Sequence, residues 1–252
     1  MKKLFFVLFS LASFYASAQS LPNIQKTSIR SPVNIKIDGK ATEWDGRFQA
    51  YNKATDIYYT LSNDDENIYF TIQAKYHDIS DKILRGGISL IINHTLNKKD
   101  GEHIIVAYPV YSASGQSDVT NMLARKENAK RDVNGADVAV DDLNKVLDAN
   151  SKTIRLSGIK DITDKEISVY NEEGIKAAAQ FDKQLWYTYE LAIPIKYLAL
   201  PNNGADAFGY NIKINEPEDV HPSRADGPPP PPMIMTSIAV TDFWGEYTLA
   251  KK

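Results

Sequence analysis

Residues 56–76 read DIYYTLSNDDENIYFTIQAKY, two apolar stretches on either side of the acidic segment 63–67. In both stretches apolar and polar residues alternate with a period of two, which is the pattern of half-buried β-strands. Asn and Asp are favoured in turns because their side chains bond nearby backbone groups. The stretch therefore predicts a β-hairpin in which Ser62 pairs with Asn67. This register pairs Leu61 with Ile68 and Tyr59 with Phe70, all on the buried side.

The acidic segment of this hairpin, NDDEN, has two alternative interpretations beside that of a simple turn. Calcium prefers carboxylate and carbonyl oxygens, so Asp64 and Asp65 are candidate ligands. A catalytic pair would need two carboxylates a few ångströms apart, which the segment also offers. We interpret the segment as a turn and keep calcium open as a cofactor, with no metal ligands assigned. A second acidic cluster comprises Asp137, Asp141 and Asp142.

The alternating pattern continues along most of the chain, in short segments separated by turn residues. Many short strands with such spacing predict an all-β fold, an antiparallel β-sandwich or barrel. The polar segment 116–132 breaks the pattern and predicts a short helix in an insertion at about 112–150. The loop 216–232 ends in five prolines and cannot be a central strand, because proline lacks the N–H donor. The further predicted strands are 33–37, 87–93, 102–110, 153–159, 166–170, 174–181, 185–193, 207–215, 235–241 and 246–249.

The N-terminus has the pattern of a secretory signal peptide over residues 1–18. A positive start is followed by an apolar run from Leu4 to Tyr15 and by the small residues Ala16-Ser17-Ala18. The run is shorter than the roughly 20 residues that span a bilayer, so we expect cleavage, with an uncleaved anchor as the alternative. The protein is then secreted or periplasmic, and without cysteine it has no lipid-anchored cysteine and no disulfide. Residues 19–32 lead into a single domain over 33–252.

The composition argues against some classes of partner. The 252-residue chain has a formal net charge of −3, which becomes −5 when Lys2 and Lys3 leave with the signal. A mildly acidic chain lacks the concentrated Lys and Arg that bind a phosphate backbone, so nucleic acid is not expected. No apolar stretch after the signal is long enough to span a membrane. The 14 tyrosines are favoured in strands and also make good binding surfaces.

Four short motifs lie in order between residues 33 and 250. They are IKIDGK at 35–40 followed by Glu43-Trp44, the hairpin at 56–76, TYELAIPI at 188–195 followed by Tyr197-Leu198, and FWGEYTL at 243–249. In this order the motifs resemble those of family 9 carbohydrate-binding modules and their relatives.

The resemblance implies a β-sandwich of immunoglobulin-like, jelly-roll-like or DOMON-like type in a secreted bacterial protein. It also implies non-catalytic recognition of a poly- or oligosaccharide, in association with polysaccharide-degrading enzymes. The chain departs from the relatives that hold a sugar between aromatic side chains, because its tryptophans do not align with such a clamp. The fold and a binding role are therefore expected from the resemblance, whereas the sugar is not named by it.

Exposed aromatic side chains are the candidates for a sugar site, because the apolar face of a pyranose stacks on an aromatic ring. The alternation in strand 185–193 turns Trp186 and Glu190 away from the core. A tryptophan beside a carboxylate on a polar face is the first candidate platform. A helix or the insertion covering Trp186 is the structural alternative.

Four more aromatic residues complete the candidate set. Tyr58 and Tyr69 are predicted to be diagonal neighbours on the outer side of the hairpin. Such a pair would also stabilise the sheet without any ligand, by roughly 0.2–1 kcal/mol. Trp44 and Trp244 are the remaining candidates, with structural packing at an edge of the sandwich as the alternative.

Three other functions remain as alternatives. An enzyme is not predicted, because the chain has no serine elbow, HExxH motif or phosphate-binding glycine loop, although a glycoside-active enzyme needs only two carboxylates. A protein-interaction module would use the polyproline loop 216–232. A haem-binding DOMON-type domain would need an axial Met and His. The available residues are Met122, Met233 and Met235 with His94, His103 and His221. Zinc is not expected, because these three histidines and His77 show no zinc-ligand spacing.

Overall fold

The computed structural model describes residues 20–94, 96, 102–129, 136–200, 206–217 and 240–252. The predicted signal peptide, most of the proline-rich loop and residues 235–239 of a predicted strand lie outside these ranges. Within them, no helix has the length and apolar character required to cross a membrane.

The described chain forms two antiparallel sheets and three α-helices, with two short 3-10 turns at Thr42–Trp44 and Ile195–Leu198. One sheet has five strands in the order β1-β2-β3-β9-β8, and the other has six in the order β11-β10-β4-β5-β6-β7. The strands are β1 Ala50–Asn52, β2 Ile57–Asn63, β3 Asn67–Ala74, β4 Ile88–Asn93, β5 His103–Val110, β6 Thr153–Ser157, β7 Glu166–Ser168, β8 Lys176–Phe181, β9 Tyr187–Pro194, β10 Ala207–Ile214 and β11 Thr241–Thr248. The helices are α1 His77–Gly86, α2 Ala113–Ala129 and α3 Ala136–Asn150.

The core lies between the two sheets, as in a β-sandwich. Tyr59 of the five-stranded sheet hydrogen-bonds through its hydroxyl to Tyr210 of the six-stranded sheet at 3.0 Å. The rings of Tyr108 and Tyr189 stack across the same interface with centroids 5.6 Å apart. Gly245 makes room for Tyr210, because a Cβ at residue 245 would lie 2.3 Å from that ring. A mostly β structure with two antiparallel sheets is therefore confirmed, and its finer type stays a prediction.

The predicted hairpin forms, but its register was wrong by two residues along the partner strand. Asn63 pairs with Ile68, Leu61 with Phe70 and Tyr59 with Ile72. The shift preserves the buried side because side chains alternate with a period of two. The turn begins at Asp64, whose Oδ1 accepts the backbone N–H groups of Glu66 and Asn67 at 2.8 and 2.7 Å.

The N-terminal segment differs from the prediction. Residues 33–37 form no strand, and positive φ values at Asn34 and Gly39 interrupt extended geometry there. Gly39 packs against the backbone of β8, where a Cβ would meet Ala179 at 2.7 Å. The indole N–H of Trp44 donates to the Thr71 hydroxyl of β3 at 3.1 Å. Residues 38–44 therefore lie over the outer side of the five-stranded sheet.

The insertion is more helical than predicted. The predicted helix 116–132 corresponds to α2, while α1 and α3 were not predicted. In α3 the buried residues Val140, Leu143 and Leu147 follow helical spacing. The Asn144 amide exchanges two hydrogen bonds with the backbone of Phe181, at 2.8 and 2.9 Å, and so covers the edge strand β8. The helical insertion therefore contacts the five-stranded sheet.

Predicted strand 185–193 is found shifted, as Tyr187–Pro194, and strand β1 was not predicted. The predicted strands found with shorter ends are 87–93, 102–110, 153–159, 166–170, 174–181 and 207–215. The predicted strand 246–249 is part of the longer strand β11, which begins at Thr241. This strand pairs with β10 along its whole length. Its length determines the position of Trp244 on the six-stranded sheet.

Candidate binding face

The outer side of the six-stranded sheet, here called the cavity face, is bordered by the end of α1 and the start of α2, since Arg85, Gly86 and Gln116 line a cavity on it. In β4, Ile88, Leu90 and Ile92 are buried in the core. The intervening residues Ser89 and Ile91 must then point to the opposite side. The same alternation places the outward residues of β5, β6, β10 and β11 on this face.

Strand register arranges the outward residues in rows across the sheet. The middle row contains three apolar side chains, those of Trp244, Ile91 and Ile105, and all three are partly exposed. The indole ring of Trp244 lies 6.3 Å from the imidazole ring of His103, centroid to centroid. Because β11 and β5 are separated by two strands, the indole extends across the sheet toward β5. The full middle row is Trp244, Asn211, Ile91, Ile105 and Ser157.

Polar residues dominate the rows on both sides of this apolar strip. Asn211, at the floor of the strip, donates from its amide to the Asp242 carboxylate at 2.7 Å. Arg155 pairs with Glu166 at 2.9 Å. One flanking row is Glu246, Gly209, Asn93 and His103, and the other is Asp242, Lys213, Ser89, Ala107, Arg155 and Glu166. An apolar strip between hydrogen-bonding groups is the arrangement that a sugar ring requires.

A cavity of about 650 Å³ lies on this face and extends from Ile105 toward α1. It is within the range of about 300–1,000 Å³ that ligand pockets occupy. Arg85, in the last turn of α1, lines the cavity because the helix ends close to the sheet. The Gly87 N–H closes the helix by donating to the Ile83 carbonyl at 2.7 Å. Gly86 permits the approach, since a Cβ there would lie 2.2 Å from the Asn215 carbonyl oxygen.

Five of the six sequence-predicted site residues lie away from the cavity face. Trp44 is part of the N-terminal segment that covers the five-stranded sheet, and the other four lie on that sheet or, for Trp186, directly before its strand β9. Trp44 is 7% exposed and Glu190 is fully buried, which corrects their assignment to an accessible platform. Tyr69 is also 7% exposed, and its hydroxyl donates to the Asp64 carboxylate at 2.6 Å. These three side chains are removed from the candidate stacking surface, because each is at most 7% exposed. Tyr69 is among the lining residues of a second cavity of about 850 Å³, but little of its ring is exposed there.

Tyr58 and Trp186 are partly exposed, but they are not an open platform. The Lys75 ammonium lies 4.3 Å from the centre of the Tyr58 ring and 4.2 Å from the centre of the Trp186 ring. Tyr58 is also not a diagonal neighbour of Tyr69, since it pairs with Gln73. The structure therefore brings Tyr58 and Trp186 together around a lysine and leaves Trp244 alone on the cavity face.

Glu190 anchors the N-terminal segment. One carboxylate oxygen, Oε2, accepts the backbone N–H groups of Asp38 and Gly39, both at 3.0 Å. The other oxygen, Oε1, is buried and makes no hydrogen bond within the described part of the chain. Burial raises the pKa of Glu190 to about 7, and the two N–H donors oppose that rise only in part. The side chain therefore has a structural role, because it holds residues 38 and 39 on the five-stranded sheet.

The acidic hairpin segment is a turn whose carboxylates are engaged. Both oxygens of Asp64 accept hydrogen bonds, from the backbone of Glu66 and Asn67 and from the Tyr69 hydroxyl. Asp65 pairs with Arg30 at 2.8 Å and also with Lys252. Among the residues that the structure describes, no group of three or more His, Asp and Glu side chains could hold a metal ion.

The structure describes only some of the Met and His residues that the haem alternative would use as axial ligands. Met122 is 1% exposed within the core. Met233, Met235 and His221 lie outside the described residues. No pair of axial ligands is therefore assigned.

No protein-family model, curated protein or solved structure matches this chain. The candidate site therefore depends on the geometry of its own residues.

Sequence reasoning missed most residues of the cavity face. The alternation in β4 already separates Ile91 and Ser89 from the core, and this signal was available. Their proximity to Trp244 and Arg85 depends on strand order, which places β4 between β10 and β5. Nothing in the local sequence specifies that order.

Proposed function

We propose that this protein binds an oligosaccharide or polysaccharide on the cavity face, without catalysing a reaction on it. The observation that carries the proposal is the partly exposed Trp244, which begins an apolar strip leading to the cavity. The indole would stack on a sugar ring, and the flanking polar side chains would bond its hydroxyl groups.

The indole and the cavity lie close enough for one ligand to use both. Three strand spacings of about 4.8 Å put the backbones of Trp244 on β11 and Ile105 on β5 about 14 Å apart. The indole spans much of that distance, since its ring centre lies 6.3 Å from that of His103 on β5. The stacking surface therefore adjoins the near end of the cavity at Ile105.

The proposal agrees with the resemblance to family 9 carbohydrate-binding modules, which implies the same class of ligand in a secreted protein. It assigns the stacking residue as Trp244 in place of Trp186, the first candidate from the sequence. The reason is accessibility, because Lys75 already occupies the space between Trp186 and Tyr58.

Affinity electrophoresis of residues 19–252 tests the proposal, with gels cast with a panel of neutral and acidic soluble polysaccharides. We expect at least one polysaccharide to retard the native protein, and Trp244→Ala to weaken binding by about tenfold or more, which is about 1.4 kcal/mol. Trp186→Ala is the matched control, a tryptophan truncation on the other sheet, and should bind as the native protein does.

Two results would contradict the proposal. Loss of binding in Trp186→Ala with retention in Trp244→Ala would place the site on the five-stranded sheet. Absence of retardation on every gel would remove the carbohydrate function itself. Circular dichroism of each variant distinguishes loss of binding from loss of folding.

A further inference from the structure

We infer that the ligand is an acidic polysaccharide, whose anionic group binds in the cavity against Arg85 and Lys213. The inference rests on the proposed carbohydrate function and names the class of ligand. The anionic group is a carboxylate, as in a uronic acid, or a sulfate ester, and both have the oxygen acceptors that Arg and Lys recognise.

The charge of the cavity is opposite to that of the chain. Among the described residues that line it, four are cationic, namely Arg85, Arg155, Lys165 and Lys213. Two are carboxylates, Glu166 and Glu216. The chain as a whole has a formal net charge of −3, so a cationic cavity is a local feature and not a consequence of composition. Four cations and two carboxylates give the described lining a net formal charge of +2, which favours ligands of the opposite sign.

Among the described residues of the lining, Arg85 and Lys213 are the partly buried cations that make no ion pair, whereas Lys165 is exposed to solvent. Arg155 is already paired with Glu166 at 2.9 Å. Neither Arg85 nor Lys213 makes an ion pair with any residue in the ranges that the structure describes, and both are partly buried. A partly buried cation without a counter-charge loses hydration that an anionic ligand would replace.

Their placement is built into the fold. Lys213 is opposite Asp242 on β11 and Ser89 on β4, in the row beside the apolar strip. The Asp242 carboxylate accepts from the Asn211 amide at 2.7 Å and makes no ion pair with Lys213. Arg85 is held at the end of α1 by the close contact of Gly86 with Asn215. A sugar stacked on Trp244 would therefore have its neighbouring units beside these two cations.

The test compares polysaccharides that share a backbone and differ in charge. Gels are cast with pectate, with its fully methyl-esterified form, with carboxymethyl cellulose, with hydroxyethyl cellulose and with a sulfated galactan. Polyglutamate serves as a polyanion without sugars. We expect retardation by at least one acidic polysaccharide, at least tenfold weaker binding to its neutral counterpart, and weaker retardation when sodium chloride is added.

Lys213→Gln and Arg85→Gln should each weaken binding to the acidic polysaccharide by about tenfold, because each removes one charge-assisted contact. Lys145→Gln on α3 is the matched control for net charge, since Lys145 is exposed and is not among the residues that line the cavity. It should bind as the native protein does. Whether pectate or the sulfated galactan retards the protein distinguishes a carboxylate from a sulfate.

The outcomes separate this inference from the proposed function. The native protein could bind charged and neutral polysaccharides equally, with binding lost in Trp244→Ala and retained in Lys213→Gln. That result would overturn the inference and keep the proposed function. Equal binding to polyglutamate would overturn both, because the cations would then act as an ion exchanger. No retardation on any gel would also overturn both.

Discussion

Replacement of Glu190 by glutamine should abolish most of the pH dependence of stability above pH 4.5. The Glu190 carboxyl is fully buried, and its pKa is raised from 4.5 to about 7 in the folded protein. In the unfolded chain the carboxyl ionises at about its ordinary pKa of 4.3–4.5. Burial therefore favours the protonated form in the folded state only.

The sign and size of the effect follow from this difference. The protonated carboxyl stabilises the folded protein in full at pH values below its unfolded pKa of about 4.5. This stabilisation is lost as the pH rises through the folded pKa of about 7. The shift from 4.5 to about 7 is about 2.5 pKa units, and at about 1.36 kcal/mol a unit it amounts to about 3 kcal/mol. Glutamine resembles the protonated form, accepts the same N–H groups of Asp38 and Gly39, and does not titrate.

The assay is urea denaturation followed by tryptophan fluorescence, repeated between about pH 4.5 and pH 8.5. We expect the free energy of unfolding of Glu190→Gln, relative to the native protein, to rise by about 3 kcal/mol across this range. Glu172→Gln, at an exposed turn position, is the matched control and should leave the native profile unchanged. If Glu190→Gln and the native protein show the same profile, the buried carboxyl does not control the pH dependence.

Two further predictions concern the core and are measured by the same denaturation at pH 7. Tyr59→Phe removes a hydroxyl that accepts the buried Gln25 N–H at 2.9 Å, so we expect a loss of about 1–3 kcal/mol. Tyr189→Phe, its matched control, removes a buried hydroxyl without a hydrogen-bond partner among the described residues, and should be neutral or stabilising; equal losses in both would refute the hydrogen-bond account. Gly245→Ala places a Cβ 2.3 Å from the Tyr210 ring and should cost about 1–3 kcal/mol, whereas native-like stability would show that the ring can move aside.

The hairpin shows how far local pattern determines structure. Alternation in β2 and β3 correctly assigned Tyr59, Leu61, Ile68 and Phe70 to the buried side, because burial of one face depends only on the period of two. The register was wrong because a shift of two residues preserves that face. The carboxylate of Asp64 stabilises the observed register, since it accepts hydrogen bonds from the amides of the turn that the structure adopts.

The candidate site was harder to predict than the fold. Alternation correctly turned Trp186 and Glu190 away from the core, but it could not show that residues 38–44 lie over that side of the sheet. That contact joins Gly39 to Glu190, which are 151 residues apart in sequence. Helix α1 was not predicted, for a related reason. Its apolar pattern is short, and only the tertiary structure shows that Ile83 and Leu84 are buried in the core.

The sequence by itself determined that the protein is mostly β, where most of the strands form, which side of each of these is buried and that the acidic hairpin segment is a turn. These features follow from side-chain period and turn chemistry, which are local properties. Only the tertiary structure decided which outer side is covered and that Trp244 shares a face with Ile91 and Ile105. It also decided that Arg85 and Lys213 line one cavity. These features depend on strand order and on contacts between residues that are far apart in the sequence. The same local pattern is compatible with more than one such arrangement.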